Sequence, residues 1–358
     1  MSSALPPPPD TAARLAFLRE PSTLDAIWPG CREARVVETH MSWVLLAGRR
    51  VIKLKKPLQR GTLDASTPGA RLHACRQELR VNARLAPGVY LGVLLMQWDG
   101  RRLSLRADAE RPPHPEAVTV DAVVLMRRLP ASRMLDRLIA EGRVDARQLD
   151  ALVRVLAGFY RGAAPAPIAP ARYVARLRAE LRADADVLTA LAPTRARAET
   201  LFARTQVAFA RHEARLLARA AQGRLVEGHG DLRPEHVCMM RRPLVIDALE
   251  FDARLREVDP LDELAGLALE CELAGAAWIG PRLIGSCAAV LGDAADPLLV
   301  ALYTLKRAWL RARLAMAHLL DPHPRTPERW PALAGRHLAH AEEALRALEP
   351  THLRTRAA

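Results

Sequence analysis

Strand-forming residues crowd the first third of the chain, and helical spacing takes over after Pro130. Residues 11–28 predict one or two short helices. Residues 34–57 predict a β-hairpin: Val36, Val37, Val44, Leu45 and Leu46 supply strand formers, Ala47-Gly48-Arg49-Arg50 the turn, and Val51-Ile52-Lys53-Leu54 the return. Over 69–86, Leu72, Cys75, Leu79, Asn82 and Leu85 fall near helical spacing. Further strands are expected at 90–97, 102–106 and 118–129. To about residue 130 the order is β-β-α-β-β-β, a small α+β lobe.

The second part reads as helices. Asp145 and Gln148 have the spacing of a capping box. They precede Leu149, Leu152, Val153, Leu156 and Phe159 on one helical face. Amphipathic stretches at 171–191 and 195–221 follow. An irregular insert then carries two brief apolar strands, Leu225-Val226 and Leu244-Val245-Ile246. Helices resume at Asp259-Pro260, an N-cap followed by proline at the first helical position. The expected organisation is an N-terminal helical extension (1–33), a nucleotide-binding N-lobe (34–130) and a helical C-lobe (131–358) with its β insert at 225–252.

Composition narrows the class. The 358 residues are enough for a sizeable core, and 50% hydrophobic with 26% charged content reads as globular. Residues 1–10 show neither a basic nor an apolar leader segment, so no secretory signal is expected. No apolar run approaches the roughly 20 residues that span a bilayer, so no membrane association is expected. Five scattered cysteines without a C-x-x-C pair fit reduced thiols and a cytoplasmic location. The net charge of +13 is spread as arginine along the polar stretches, without a basic run. Nucleic acid is therefore not expected as a partner, because clustering is the footprint of such binding. Among 53 Lys and Arg residues only Lys53, Lys55, Lys56 and Lys306 are lysine, and Asn82 is the one asparagine. Lysine kept in so arginine-rich a chain invites a chemical reason, and a compact mobile ammonium suits a phosphate.

The insert reads Gly228-His229-Gly230-Asp231-Leu232-Arg233-Pro234-Glu235-His236. Sixteen residues after Asp231, Val245-Ile246-Asp247 ends an apolar strand; Asp259-Pro260-Leu261-Asp262-Glu263-Leu264-Ala265 follows. Together with the hairpin that carries Lys53, these motifs, in this order over about 34–270, resemble the aminoglycoside phosphotransferase and choline kinase superfamily, in an uncharacterised bacterial branch. That resemblance implies a two-lobed protein-kinase-like α+β fold, with a small mixed β-sheet N-lobe and a mostly helical C-lobe.

The resemblance also implies a kinase using ATP and Mg²⁺ on a hydroxyl of a small polar molecule. Phosphoryl transfer is mostly positioning and charge neutralisation. Asp231 is expected to orient the acceptor hydroxyl and take its proton. Asp247 is expected to hold the metal, with Glu250 or Asp252 as assistants. Lys53 is expected on the phosphates, Lys55 standing second because alternate strand side chains share a face, and Glu78 as the lysine's helix partner. The adenine is expected on the backbone near Met126, Arg127 and Leu129. His229 and Glu263 are expected to support the loop, with Asp259 capping the helix. Asp262, Glu263 and Glu270 are candidates for an acidic acceptor patch. The chain departs from the family pattern at His236, where a metal-binding Asn is usual; imidazole is softer and points to Mn²⁺, to a bond within the loop, or to a nucleotide-binding pseudokinase as the alternative function. No glycine-rich loop is present, so residues 39–42 would have to cover the phosphates.

Overall fold

The structure is a computed structural model, described here for residues 6–60, 63–108, 117–321, 324 and 326–349. The expectations for 1–5, and for the end of the helical lobe at 350–358, lie outside the described residues. The chain divides into two compact units: residues 1–133 with 244–254, and 134–243 with 255–358. The segment 244–254 thus groups with the N-terminal unit.

The first unit opens with α1 (Thr11–Phe17) and α2 (Pro21–Ile27). The predicted hairpin is three strands, β1 (Arg35–Glu38), β2 (Ser42–Ala47) and β3 (Arg50–Lys55). The extra turn arises because the Thr39 N–H donates to the Ser42 carbonyl (2.8 Å) while the Ser42 N–H donates to Thr39 Oγ1 (3.0 Å). A two-residue ladder, β4 (Gln59–Arg60) with β5 (Leu63–Asp64), leads to α3 (Pro68–Asn82), capped by Thr67. Three strands follow: β6 (Tyr90–Trp98), β7 (Leu103–Ala107) and β8 (Val118–Arg127). The main sheet runs β1-β2-β3-β8-β6-β7. All its pairings are antiparallel rather than mixed, since β8 inserts between β3 and β6 and runs against both.

Alternation along β3 decides what each face carries. Ile52 and Leu54 join Leu18, Leu24, Leu45 and Met96 on the side of α1 and α2. Val51 joins Cys75 of α3 with Tyr90, Val93 and Val124 on the other. Lys53 and Lys55 share the parity of Val51 and so face α3. The helix is pinned by a buried ion pair: Arg71 Nε and Nη2 donate to Asp121 Oδ1 (2.8 Å) and Oδ2 (3.0 Å).

The second unit is helical: α4 (Leu135–Ala140), α5 (Ala146–Gly162), α6 (Pro170–Ala190) and α7 (Arg195–Ala221), then α8 (Pro260–Leu273), α9 (Ile279–Leu291), α10 (Pro297–Ala317) and α11 (Arg329–Leu348). The Asp145/Gln148 capping box is formed. A short ladder of β9 (Val226–Glu227) with β10 (Glu257–Val258) crosses this unit's insert. α8 is buried along most of its length, and α10 packs on α6, α7, α8 and α11 around Trp309. The five cysteines are buried free thiols. Among the described residues, no helix is long and apolar enough to cross a membrane.

Asp121→Ala leaves Arg71 buried without its counter-charge, so a loss of about 3–5 kcal/mol is expected in denaturant unfolding. A loss below about 1 kcal/mol would show that the pair does not hold α3 to the sheet.

Candidate active site

In the first unit the charges converge on Glu78, which α3 buries completely. Its Oε1 accepts from Lys53 Nζ at 2.9 Å and its Oε2 from Lys55 Nζ at 2.6 Å. Lys53 also donates to Asp247 Oδ1 at 2.6 Å, and Lys55 to Glu250. Two ammonium groups therefore meet three carboxylates. Burial pushes Glu78 toward protonation, but Lys53 and Lys55 outweigh it and hold the carboxyl below its ordinary 4.5. Burial likewise opposes the charge on Lys53, and Asp247 and Glu78 outweigh it, so the amine titrates well above its usual range.

Asp247 adopts φ +65°, a left-handed conformation that costs a non-glycine residue about 1–3 kcal/mol. Two bonds hold it there. Its N–H donates to the Tyr90 hydroxyl (3.1 Å), and the next N–H, of Ala248, donates to Asn82 Oδ1 (2.9 Å). Asn82 Nδ2 in turn donates to the Glu78 carbonyl (2.9 Å). The Asp247 side chain keeps 45% of its surface exposed. Asp252, further along this segment, bonds Arg254 instead. At the end of β8, Met126 is buried between Val51 and Tyr90 in the sheet. The N–H groups of Arg127 and Arg128 donate to the carbonyls of Val89 (2.8 Å) and Arg49 (2.9 Å). Leu129 is partly buried against the α3-side core.

In the second unit, β9 runs into the loop that carries Asp231. Gly228 has no room for a side chain: a Cβ would lie 2.5 Å from Val258 Cγ2 and 2.6 Å from Glu263 Oε2. Glu263, fully buried near the start of α8, accepts from the His229 N–H (2.9 Å), from the Gly230 N–H and from the Tyr160 hydroxyl (2.9 Å). Burial raises its carboxyl above the ordinary value, although Arg307 pulls the other way. The Asp231 N–H donates to His229 Nδ1 (3.3 Å), and His236 Nδ1 donates to the Asp231 carbonyl (2.9 Å). The Asp231 carboxylate is 30% exposed, with Arg311 Nη1 3.7 Å from its Oδ1. Burial works against its charge, but His236, Arg233, Arg311 and His229 together hold it below its usual range, so it is ionised at neutral pH. Asp262 accepts from Arg307 Nε (2.6 Å) and Lys306 (3.0 Å). Asp259 caps α8 through the Leu261 N–H and receives a fork from Arg219 (2.6 and 2.7 Å).

Lys53, Lys55, Glu78 and Asp247 are thus brought together within one unit, and Asp231, His229, His236 and Glu263 within the other. Several residues of these clusters escaped the sequence reading. The isolation of Asn82 as the sole asparagine was a signal. Tyr90, Tyr160, Arg307 and Arg311 gave none, because their sequence contexts are ordinary core and helix positions.

No family model matches the chain. It is 29% identical over 328 residues to uncharacterised proteins of Mycobacterium tuberculosis and Mycobacterium bovis. That match takes in 86% of this chain but 60% of theirs, so the chain spans about 60% of the length of these curated relatives. Among solved structures, a choline/ethanolamine kinase family protein from Mesorhizobium loti superposes with a TM-score of 0.54 at 16% identity, over 96% of both chains. The GDP complex of aminoglycoside 2'-phosphotransferase-IIIa gives 0.55 at 14% identity, over 94% of this chain and 99% of that one. Choline kinase from Cryptosporidium parvum gives 0.53 at 10% identity, over 95% and 96%. The chain has the two-lobed kinase-like fold of these phosphotransferases. At 16% identity or less, the likeness to these structures is a likeness of fold.

Because Glu78 titrates below 4.5 in the folded chain, its stabilising contribution is present above that pH and is lost as pH falls through its lowered value. Glu78→Gln is expected to cost roughly 3 kcal/mol at pH 7 and to flatten the acid limb of the melting-temperature profile below pH 4.5. An unchanged acid limb would show that this carboxylate is not the group lost there.

Proposed function

We propose that the chain transfers the γ-phosphoryl group of ATP to a hydroxyl of a small polar molecule. The observation that carries this reading is the Lys53 ammonium, held at 2.9 Å by a fully buried Glu78 and at 2.6 Å by a half-exposed Asp247. A lysine so placed is a fixed point charge for phosphate oxygens. Asp247 offers hard carboxylate oxygens of the kind Mg²⁺ prefers. His236 fits a metal less well: imidazole is softer, and with Nδ1 on the Asp231 carbonyl any metal bond would come through Nε2. The cation, when bound, neutralises charge on the transferred group.

The remaining roles follow from the chain's own groups. Lys53 takes the phosphates and Lys55, through Glu78 and Glu250, fixes that carboxylate. Where β8 ends, the N–H groups of Arg127 and Arg128 are spent, which favours Leu129 for an adenine bond. Asp231, ionised and partly exposed, orients the acceptor hydroxyl and accepts its proton late. Glu263 and His229 fix the loop backbone that aims it. Nucleotide binding is assigned to 34–130 with 244–254, and acceptor binding to the helices of 131–358. The use of His236 as a loop brace favours one second reading, a nucleotide-binding protein with little transfer activity.

Both readings predict stabilisation by ATP with Mg²⁺ in a thermal shift; labelled γ-phosphate release separates them. Asp231→Asn is expected to lower turnover on the order of 10²–10⁴-fold while ATP still stabilises the protein. Unchanged turnover would remove Asp231 from the reaction. Lys53→Met is expected to raise the KM for ATP more than Lys55→Met does, and the reverse order would exchange their roles.

A further inference from the structure

The segment that carries Asp247 hangs on residues 82–90, from the end of α3 to the start of β6. The Val245 N–H donates to the Leu85 carbonyl (3.2 Å), the Asp247 N–H to the Tyr90 hydroxyl (3.1 Å) and the Ala248 N–H to Asn82 Oδ1 (2.9 Å). Ile246 packs on the α3-side core and Ala248 is buried, while the Asp247 side chain stays half-exposed. The neighbours on either side are held inward and the acid is left at the surface.

Two of these anchors act on the acid's own dihedrals. The Asp247 N–H belongs to the rigid peptide plane before its Cα, and the Ala248 N–H to the plane after it. A hydrogen bond that orients the first plane limits φ, and one that orients the second limits ψ. Tyr90 and Asn82 therefore restrain both rotations of one residue, at φ +65°, where side chains other than glycine's are uncommon. Those rotations set the direction of the Cα–Cβ bond. Because the left-handed conformation is itself unfavourable, the backbone relaxes out of it once either bond is missing.

The Lys53 contact is of another kind. Its ammonium meets Asp247 Oδ1 at 2.6 Å as a compact charge with rotatable donors, which keeps a carboxylate near without fixing its Cβ. The two anchors have the chemistry their places require. Tyr90 has its ring buried in the α3-side core, so its hydroxyl has a fixed place. Asn82 accepts from Ala248 through Oδ1 and donates to the Glu78 carbonyl through Nδ2 (2.9 Å). An ionised aspartate there could accept but not donate.

We infer that Tyr90 and Asn82 are positioning residues for the divalent cation: by restraining φ and ψ of Asp247 they aim its carboxylate, and so set how tightly the cation is held beside the nucleotide. This rests on the phosphotransferase reading, in which Asp247 is a ligand of the cation. Groups that orient a metal-binding carboxylate change metal affinity on the order of 10–100-fold when removed.

The test titrates Mn²⁺ into the full chain with the β,γ-imido analogue of ATP, held below the protein concentration so that free nucleotide does not compete. Bound cation is read from the loss of the free Mn²⁺ electron paramagnetic resonance signal. Tyr90→Phe and Asn82→Ala are each expected to raise the Mn²⁺ Kd on the order of 10–100-fold. Asp247→Asn should raise it further. Val93→Ala, which thins the same core without touching either anchor, should lower the melting temperature and leave the Mn²⁺ Kd unchanged. Tyr90→Phe keeps the ring in the core and decides the matter alone if Asn82→Ala does not fold. An unchanged Kd in Tyr90→Phe, with Asp247→Asn weakened, overturns the inference and leaves the phosphotransferase reading in place. So does a Val93→Ala loss equal to that of Tyr90→Phe, since the effect is then one of core stability. Mn²⁺ binding that is absent, or untouched by Asp247→Asn, instead overturns the reading of Asp247 as a cation ligand, and the positioning roles with it.

Discussion

A carboxylate with no solvent contact is ionised in this protein because two lysines flank it. Glu78 could not carry a charge alone in the core between α3 and the sheet, since desolvation would protonate it. Lys53 and Lys55 make the charge tolerable, and the same contacts make the lysines tolerable. The arrangement is closed on its other side by Asp247 and Glu250. Removing any one member takes one of two counter-charges from a buried neighbour, which is why such clusters tie fold to chemistry so tightly. The scarcity of lysine in the sequence has a physical counterpart here. A guanidinium is broader and flatter than an ammonium, and two guanidinium groups on adjacent same-face strand positions would be hard to seat on one carboxylate.

The helical unit solves a similar problem in a different way. The first turn of α8 carries Asp259, Asp262 and Glu263, all fully buried and all near a helix N-terminus, where negative charge is favoured. Each then answers to a different part of the chain: Asp259 to Arg219 and Tyr303, Asp262 to Lys306 and Arg307, Glu263 to the backbone of the Asp231 loop. One helical turn thus fixes α7, α10 and the loop together. The loop needs no secondary structure of its own, because its N–H groups have a carboxylate to bond and Gly228 lets that carboxylate come within reach.

Much of this was legible in the residues. The capping box at Asp145, the N-cap and proline at Asp259-Pro260, and the strands near 90, 103 and 118 carry local signals that tertiary contacts did not override. The parity of Lys53 and Lys55 on one strand placed both on the face that meets α3. Other features left no local trace. The turn at 39–41 contains no glycine or proline and depends on a threonine side chain accepting from the Ser42 N–H. The grouping of 244–254 with the first unit is a long-range fact that periodicity does not encode. The acids proposed for a cationic acceptor, Asp262, Glu263 and Glu270, are consumed by Lys306, Arg307, Arg311 and the loop backbone, partners that sequence separation hid.

Asn82 has a consequence for motion. Through one side chain it joins the carbonyl of Glu78 to the N–H of Ala248, so α3 and the strand-end that carries Asp247 move as a single piece. A tilt of that helix would strain the bond that holds the backbone next to Asp247. Loss of order at either end would be felt at the other, because the same two hydrogen bonds join them.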